Sequence, residues 1–219
     1  MEITELAAER TTAATDLLLG ILTLAAALFI YQLGRKSDRT KGMIWSAAFG
    51  LMSIASFFGA IAHGFVMSFE TNRTLWQPVN ASLGLAVALF VIGVMYDLRG
   101  FWISKGLTVS ILLLGAIFYF FTWIFENLFV VFIVYEAIAL IFSLAVYVIL
   151  ALKKEVKGAI LMVIGILISL IAAAVQTNDA IRFDLLFTFD NNSVFHFLQM
   201  FGIGFLFFGL RRDLKYRTV

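Results

Sequence analysis

The sequence contains no cysteine and a single proline, and its charged residues are few. Without cysteine the chain has no disulfide framework, no thiolate metal ligand and no cysteine nucleophile. Charged residues make up 14% of the 219 positions and apolar residues 62%, which leaves too little polar surface for a fold that meets water. The net charge of +2 comes from Lys and Arg beside apolar runs, so we expect no nucleic-acid partner. The lipid bilayer is the expected solvent.

Seven apolar runs divide the chain, and each can cross about 30 Å of hydrocarbon as a helix. We predict transmembrane helices over residues 12–33, 43–69, 78–98, 107–125, 129–152, 159–176 and 193–210. The runs are continuous rather than alternating, which disfavours the strands of a membrane barrel. Pro78 is expected at the start of the third helix, where its missing N–H matters little. The sequence therefore predicts an all-α fold, a single seven-helix transmembrane domain over residues 1–219.

Basic residues predict the orientation of this bundle, because Lys and Arg near a span resist translocation. All 16 Lys and Arg residues except Arg10, Arg73 and Arg182 fall on one side of the predicted helices. That side is expected to face the cytoplasm, with the N-terminus outside and the C-terminus inside. The segment before the first run carries glutamates rather than basic residues, so we expect a retained helix and not a cleaved signal peptide. The expected location is the plasma or cytoplasmic membrane.

Ionisable and amide side chains fall inside the predicted helices at a similar depth from the outer side. The ionisable ones are Asp16, His63, Glu136 and His196, and the amides are Asn80, Gln176, Asn191, Asn192 and Gln199. The inner halves of the helices are expected to be almost wholly apolar. Because a charged or polar group is costly in lipid, each should face the bundle interior and find a partner. We therefore predict an outward-facing polar pocket that these residues line.

The two histidines, which are the only ones in the chain, allow three interpretations. In the first, His63 and His196 ligate a zinc ion, with Glu136 or Asp16 as a third ligand or as the general base for an attacking water. In the second, the same side chains form a hydrogen-bonded network between helices. The third is proton or ion passage, which an apolar inner half disfavours because no polar relay continues to the cytoplasm.

The segments GAIAHGF around His63 and NSVFHFLQM around His196 resemble motifs of the seven-helix membrane hydrolases that include alkaline ceramidases and progestin and adipoQ receptors. In that superfamily, SxxxH in helix 2 and HxxxH in helix 7 supply a serine and three histidines around zinc. His63 matches the histidine of the first motif, and His196 matches the second histidine of the other. The resemblance implies a zinc-dependent hydrolase of lipid amides or related lipids.

Two positions depart from the pattern of that superfamily. Gly59 stands where the serine belongs, and Asn192 stands where the first histidine of helix 7 belongs. Asparagine is a poor zinc ligand, so the departures favour altered or lost chemistry. A second function therefore stays open: a non-enzymatic protein that binds or senses a lipid or another small ligand. Membrane lipids are the expected partners in both cases.

Overall fold

A computed structural model describes residues 2–99, 103–124 and 129–216, apart from the side chains of residues 123, 129 and 130. This part of the chain contains seven helices, and each is long and apolar enough to cross a membrane. They are α1 (Ala7–Gly34), α2 (Arg39–Gly64), α3 (Phe69–Leu98), α4 (Lys105–Ile124), α5 (Phe129–Leu152), α6 (Ala159–Gln176) and α7 (Asn191–Tyr216). The predicted all-α bundle of seven transmembrane helices is confirmed.

Several helices extend beyond the apolar runs that predict them. α1 begins at Ala7 rather than at residue 12, and α7 continues to Tyr216 instead of ending at residue 210. α2 begins at Arg39 because the Asp38 carboxylate accepts a hydrogen bond from the Lys41 backbone N–H at 3.0 Å, which caps the helix. Hydropathy marks the part of a helix that lies in hydrocarbon, whereas polar turns at the interface stay helical. The predicted end of the fourth helix, at residue 125, lies outside the described residues.

The connection between α2 and α3 differs most from the prediction. α2 ends at Gly64, where a short strand begins, and α3 starts at Phe69 rather than at residue 78. Ser68 caps α3 by accepting a hydrogen bond from the backbone N–H three residues later. Pro78 consequently lies inside α3 and not at its start. Because proline has no backbone N–H, it removes one hydrogen-bond donor from the interior of this helix.

Two small antiparallel sheets lie at the end of the bundle where α1 begins, which we call the N-terminal end. β1 (Glu2–Ile3) pairs with β2 (Phe65–Val66), with Glu2 opposite Val66. β3 (Arg182–Asp184) pairs with β4 (Thr188–Asp190) in the connection between α6 and α7. Strands this short carry no usable periodicity, so the sequence did not predict them.

Close helix packing surrounds the fully buried indole of Trp45. A Cβ on Gly93 of α3 would stand 2.6 Å from Trp45 Cε2, so only glycine fits there. α6 and α7 approach equally closely, since a Cβ on Gly165 would stand 2.9 Å from the Gly202 carbonyl oxygen. Because lipid provides no hydrophobic force between helices, such contacts supply much of their association.

The opposite, C-terminal end of the bundle contains a buried ion cluster, so the expectation of almost wholly apolar inner halves is wrong. Lys41 Nζ lies 2.6 Å from Asp97 Oδ1 and 2.9 Å from Asp213 Oδ2, and Lys41 has no exposed surface. The Tyr147 hydroxyl donates to Asp97 Oδ2 at 2.8 Å. Asp213 Oδ1 accepts from the Lys157 backbone N–H at 3.1 Å. Lys41 is the last residue of the basic segment RKSDRTK, which suggests a solvated loop, but the early start of α2 turns it inward.

Candidate functional site

A cavity of about 530 Å³ lies between the helices at the N-terminal end. We call it the chamber. Each of the seven helices contributes to its wall, and its apolar part includes Leu19, Met52, Trp76, Phe132 and Phe195. Its volume falls within the range of roughly 300–1,000 Å³ that is typical of small-molecule sites.

The residues that the sequence singled out converge on this chamber with one exception. All four ionisable residues line it, namely Asp16, His63, Glu136 and His196. Four of the five amides line it as well, namely Asn80, Gln176, Asn192 and Gln199. Asn191 is not among the described lining residues, because its Nδ2 donates to the Gln176 carbonyl at 2.7 Å and to Asp179 Oδ1 at 3.2 Å.

His196 of α7 is held between two side chains of α1. Its Nε2 lies 3.3 Å from Asp16 Oδ1, and its Nδ1 lies 3.2 Å from the Thr15 hydroxyl. The Thr15 hydroxyl also lies within hydrogen-bonding distance of the Thr11 and Thr12 backbone carbonyls, at 3.0 and 2.9 Å, so Nδ1 shares it with those acceptors. Nε2 faces the Asp16 carboxylate. The side chains of Thr15, Asp16 and His196 are all buried. This arrangement fixes the orientation of the imidazole and joins α1 to α7.

His63 at the end of α2 pairs with a different carboxylate. Its Nδ1 lies 2.7 Å from Glu9 Oε2, and its ring meets the Trp76 indole edge to face at 5.4 Å between centroids. The His63 side chain keeps 15% of its surface exposed, and that of Glu9 keeps 37%. In the tautomer that donates from Nδ1 to Glu9, Nε2 carries the lone pair that a general base needs. The carboxylate and the indole together hold the ring.

Gly59 makes room for the Asp16 carboxylate at the wall of the chamber. A Cβ on Gly59 would stand 2.5 Å from Asp16 Oδ2. Ser56, one turn earlier on α2, lines the chamber together with Gly59 and Asp16. The space that a side chain at position 59 would need is therefore occupied by a carboxylate from α1.

Asp190 ties the start of α7 to α1 beside the chamber. Its Oδ1 accepts from the Ser193 backbone N–H at 2.8 Å, as an N-terminal cap does, and from the Thr12 hydroxyl at 2.9 Å. Partial burial opposes ionisation, but the hydrogen bonds from Ser193 and Thr12 outweigh it and hold the pKa of the Asp190 carboxyl below its ordinary value. Asp190 stays ionised and anchors α7 at neutral pH.

The donor side chains around the chamber do not fit a zinc ion as they are arranged. A zinc site needs three or more donors that meet at one point. Within residues 2–99, 103–124 and 129–216, no group of three or more His, Asp or Glu side chains is placed to hold a metal ion. His63 and His196 lie beside different carboxylates, Glu9 and Asp16, rather than around one shared point. Zinc binding stays a prediction.

Sequence reasoning missed one wall of the chamber, on α3. Asn72, Arg73, Trp76 and Gln77 line it, on the same helix face as Asn80, which the sequence did predict. Their spacing follows one face of a helix, with steps of three and four residues. This periodicity could have revealed them, but it lies before the apolar run and within a stretch interpreted as a loop. Glu9, the partner of His63, escaped notice for the same reason, since it precedes the first run.

The fold and the chamber define a seven-helix membrane protein with an internal polar site. The chain belongs to DUF6962, a family of unknown function whose profile matches residues 11–215. The match extends from α1 to α7 and so includes the chamber. No curated protein and no solved structure matches the chain.

Proposed function

We propose that this protein binds an amphipathic small molecule or lipid in the chamber. The observation that carries the proposal is a set of buried side-chain oxygens that have no hydrogen-bond partner among the described residues. Four of them belong to residues of the chamber wall, namely Gln77 Oε1, Glu136 Oε2, Gln176 Oε1 and Gln199 Oε1. Buried polar atoms in native proteins are nearly always hydrogen-bonded. A molecule with hydrogen-bond donors would satisfy these oxygens, and its apolar body would contact the aromatic and aliphatic wall.

A purely structural network explains the histidines but not these amides. His63 and His196 have carboxylate partners, so that part of the polar layer is self-sufficient. The side-chain oxygens of Gln77 and Gln199 are instead buried away from water, and no hydrogen bond among the described residues replaces the ones that water would make. Each unsatisfied buried polar group lowers the stability of the folded protein by about 1–3 kcal/mol. If these side chains served only packing, selection would replace them with apolar ones.

Filling the chamber tests this proposal. Asn80→Trp places a large ring at the wall, whereas Ile54→Trp adds the same ring at a side chain that is 44% exposed and serves as the matched control. Thermal unfolding in lipid nanodiscs is followed with octylamine, octanol and octanoate as probes. At least one probe should raise the Tm of the wild type and of Ile54→Trp in a saturable way and leave Asn80→Trp unchanged. Shifts that are equal in all three proteins, or absent throughout, would overturn the proposal.

Hydrolysis of a lipid amide or ester is a second candidate, and the pairing of His63 with Glu9 favours it. In this reaction His63 Nε2 takes a proton from water while the water oxygen forms a bond to the acyl carbon. The carbon–nitrogen or carbon–oxygen bond then breaks, and the imidazolium returns the proton to the leaving amine or alkoxide. Glu9 would stabilise the charged ring during the step, as a carboxylate behind a catalytic histidine does.

Fluorogenic N-acyl and O-acyl lipids test the second candidate in nanodiscs. Product should form with the wild type and with Glu5→Gln, an exposed acid at the same end of the bundle, and should be lost in His63→Gln. Glu9→Gln should lower kcat more than it raises KM. An inactive wild type, or activity that survives His63→Gln, would remove this candidate. Metal content measured on chelator-free protein tests the zinc prediction separately.

A further inference from the structure

A second, narrower cavity of about 50 Å³ continues from the chamber toward the C-terminal end. The two cavities share five wall residues, namely Met52, Leu83, Phe132, Glu136 and Gln199. Beyond them the wall of the second cavity is almost entirely apolar, with Trp45 and Phe49 among its members. Glu136 and Gln199 are the polar members of the shared set, so they mark the floor of the chamber.

Polar atoms without partners concentrate at this floor. Gln199 is 5% exposed, and its Oε1 has no hydrogen-bond partner among the described residues. Ser169, which is 2% exposed and lines the second cavity, has an unpartnered Oγ. Glu136 Oε2 is buried without a partner as well. Three helices thus each contribute one unsatisfied oxygen around the floor, since Glu136 lies on α5, Ser169 on α6 and Gln199 on α7. The wall of the second cavity also contains one unpartnered donor, Nε1 of Trp45 on α2.

The acids around the chamber differ in how they are neutralised. Asp16 contacts His196, and Glu9 contacts His63. Glu136 Oε2 has no such contact in the part of the chain that the structure describes. A carboxylate at membrane depth requires a positive partner or a proton, because its desolvation is otherwise too costly. The floor therefore combines an acid without a countercharge and two polar atoms that can accept a hydrogen bond.

We propose that Glu136, Gln199 and Ser169 form a subsite that binds the ammonium group of an organic amine. The inference rests on the proposed ligand-binding function and names its ligand class. The ammonium group donates its protons to Glu136 Oε2, Gln199 Oε1 and Ser169 Oγ, which matches three donors to three acceptors. The apolar body of the amine lies in the chamber, where the rings of Phe132 and Phe195 form part of the wall.

The test compares octylamine with octanol, which has the same chain and a neutral head group. Dissociation constants are measured in nanodiscs for the wild type, for Glu136→Gln and for Glu5→Gln as the matched control. The wild type and Glu5→Gln should bind octylamine at least about tenfold more tightly than octanol, a difference typical of one charge-assisted contact. Glu136→Gln should bind the two probes about equally. Gln199→Met, which keeps the side-chain length, should lose part of the preference and serves as a second variant should Glu136→Gln fail to fold.

Each outcome separates this inference from the function on which it rests. Saturable binding of octanol with no preference for octylamine in the wild type would overturn the amine subsite and leave the chamber as a ligand site. A preference that persists in Glu136→Gln would also overturn the subsite, because the ammonium would then be held elsewhere. Failure of every probe to bind would overturn both proposals.

Discussion

Gly59 and Asp16 meet at the contact between α2 and α1, where the absence of a Cβ on the glycine leaves space for the carboxylate. Gly59→Ala would place a methyl group 2.5 Å from Asp16 Oδ2 and force Asp16 away from His196. We expect a loss of about 1–3 kcal/mol of stability, as overpacking usually costs, together with weaker ligand binding.

Gly50→Ala is the matched control for that change, because it lies on the same helix and a Cβ there meets nothing within 4 Å. Its Tm should stay the same or rise slightly, since alanine is the better helix former. Thermal unfolding in nanodiscs measures both variants. Equal Tm values for Gly59→Ala and Gly50→Ala would show that the position of the Asp16 carboxylate does not require a glycine at residue 59.

Lys41 is the cation that Asp97 and Asp213 share at the C-terminal end of the bundle. Lys41→Met keeps the length of the side chain and removes its charge, which leaves two buried carboxylates without that partner. Breaking a buried ion pair in this way typically costs about 3–5 kcal/mol, so we expect a large fall in Tm.

The control for the ion cluster is Lys153→Met. Lys153 has 61% of its side chain exposed, and its Nζ is 3.9 Å from Glu155 Oε1, so the loss should be within about 1 kcal/mol. Similar Tm values for Lys41→Met and Lys153→Met would contradict the role of the cluster in joining α2, α3 and α7.

Asp190 should stabilise the start of α7 in a pH-dependent manner. Asp190→Ala removes a helix cap and the bond to Thr12, and we expect a loss of about 1 kcal/mol at neutral pH. Because the pKa of Asp190 is lowered in the folded protein, this stabilisation is present above the ordinary value of 3.8 and disappears as pH falls through the lowered value.

Unfolding curves collected from neutral to acidic pH measure the contribution of Asp190. The difference in Tm between wild type and Asp190→Ala should shrink in the acidic range. Asp184→Ala, an exposed acid of β3, should change stability by no more than about 0.5 kcal/mol at any pH. A constant difference between wild type and Asp190→Ala would show that ionisation of Asp190 is not the source of the effect.

The cysteine-free sequence permits a direct test of the predicted orientation. Glu70 lies in the first turn of α3 at the N-terminal end, and Glu155 lies between α5 and α6 at the other; both are exposed. In intact cells a membrane-impermeant maleimide should label Glu70→Cys at once and Glu155→Cys only after permeabilisation. The reverse pattern would mean that the basic residues mispredict the orientation and that the chamber opens toward the cytoplasm.

The number of helices and the shared depth of the polar residues could be predicted because both depend on the position of apolar runs along the chain. Eight of the nine predicted site residues line the chamber, although helix rotation cannot be derived from hydropathy. Asn191 is the exception, since it turns toward Gln176 and Asp179 at the start of α7.

Charged residues near helix ends were the main source of error. Lys41 and Glu9 both stand beside apolar runs, where a solvated position is the ordinary expectation. Capping by Asp38 starts α2 early enough to bury Lys41, and the contact with His63 draws Glu9 to the chamber. Both effects depend on partners that are distant in sequence or on helix boundaries, which are the least certain part of a sequence-based prediction.

Anomalous diffraction from crystals grown with ω-bromooctylamine tests most directly whether the chamber binds a ligand. The anomalous signal of bromine locates the ligand even where electron density for its carbon chain is weak. Ligand binding in the chamber predicts a saturable bromine peak between the helices at the N-terminal end, near residues of the chamber wall such as Trp76 or Phe195. The peak should be lost in Asn80→Trp. Bromine found only on the lipid-facing surface of the bundle, with the same distribution in Asn80→Trp, would contradict the account.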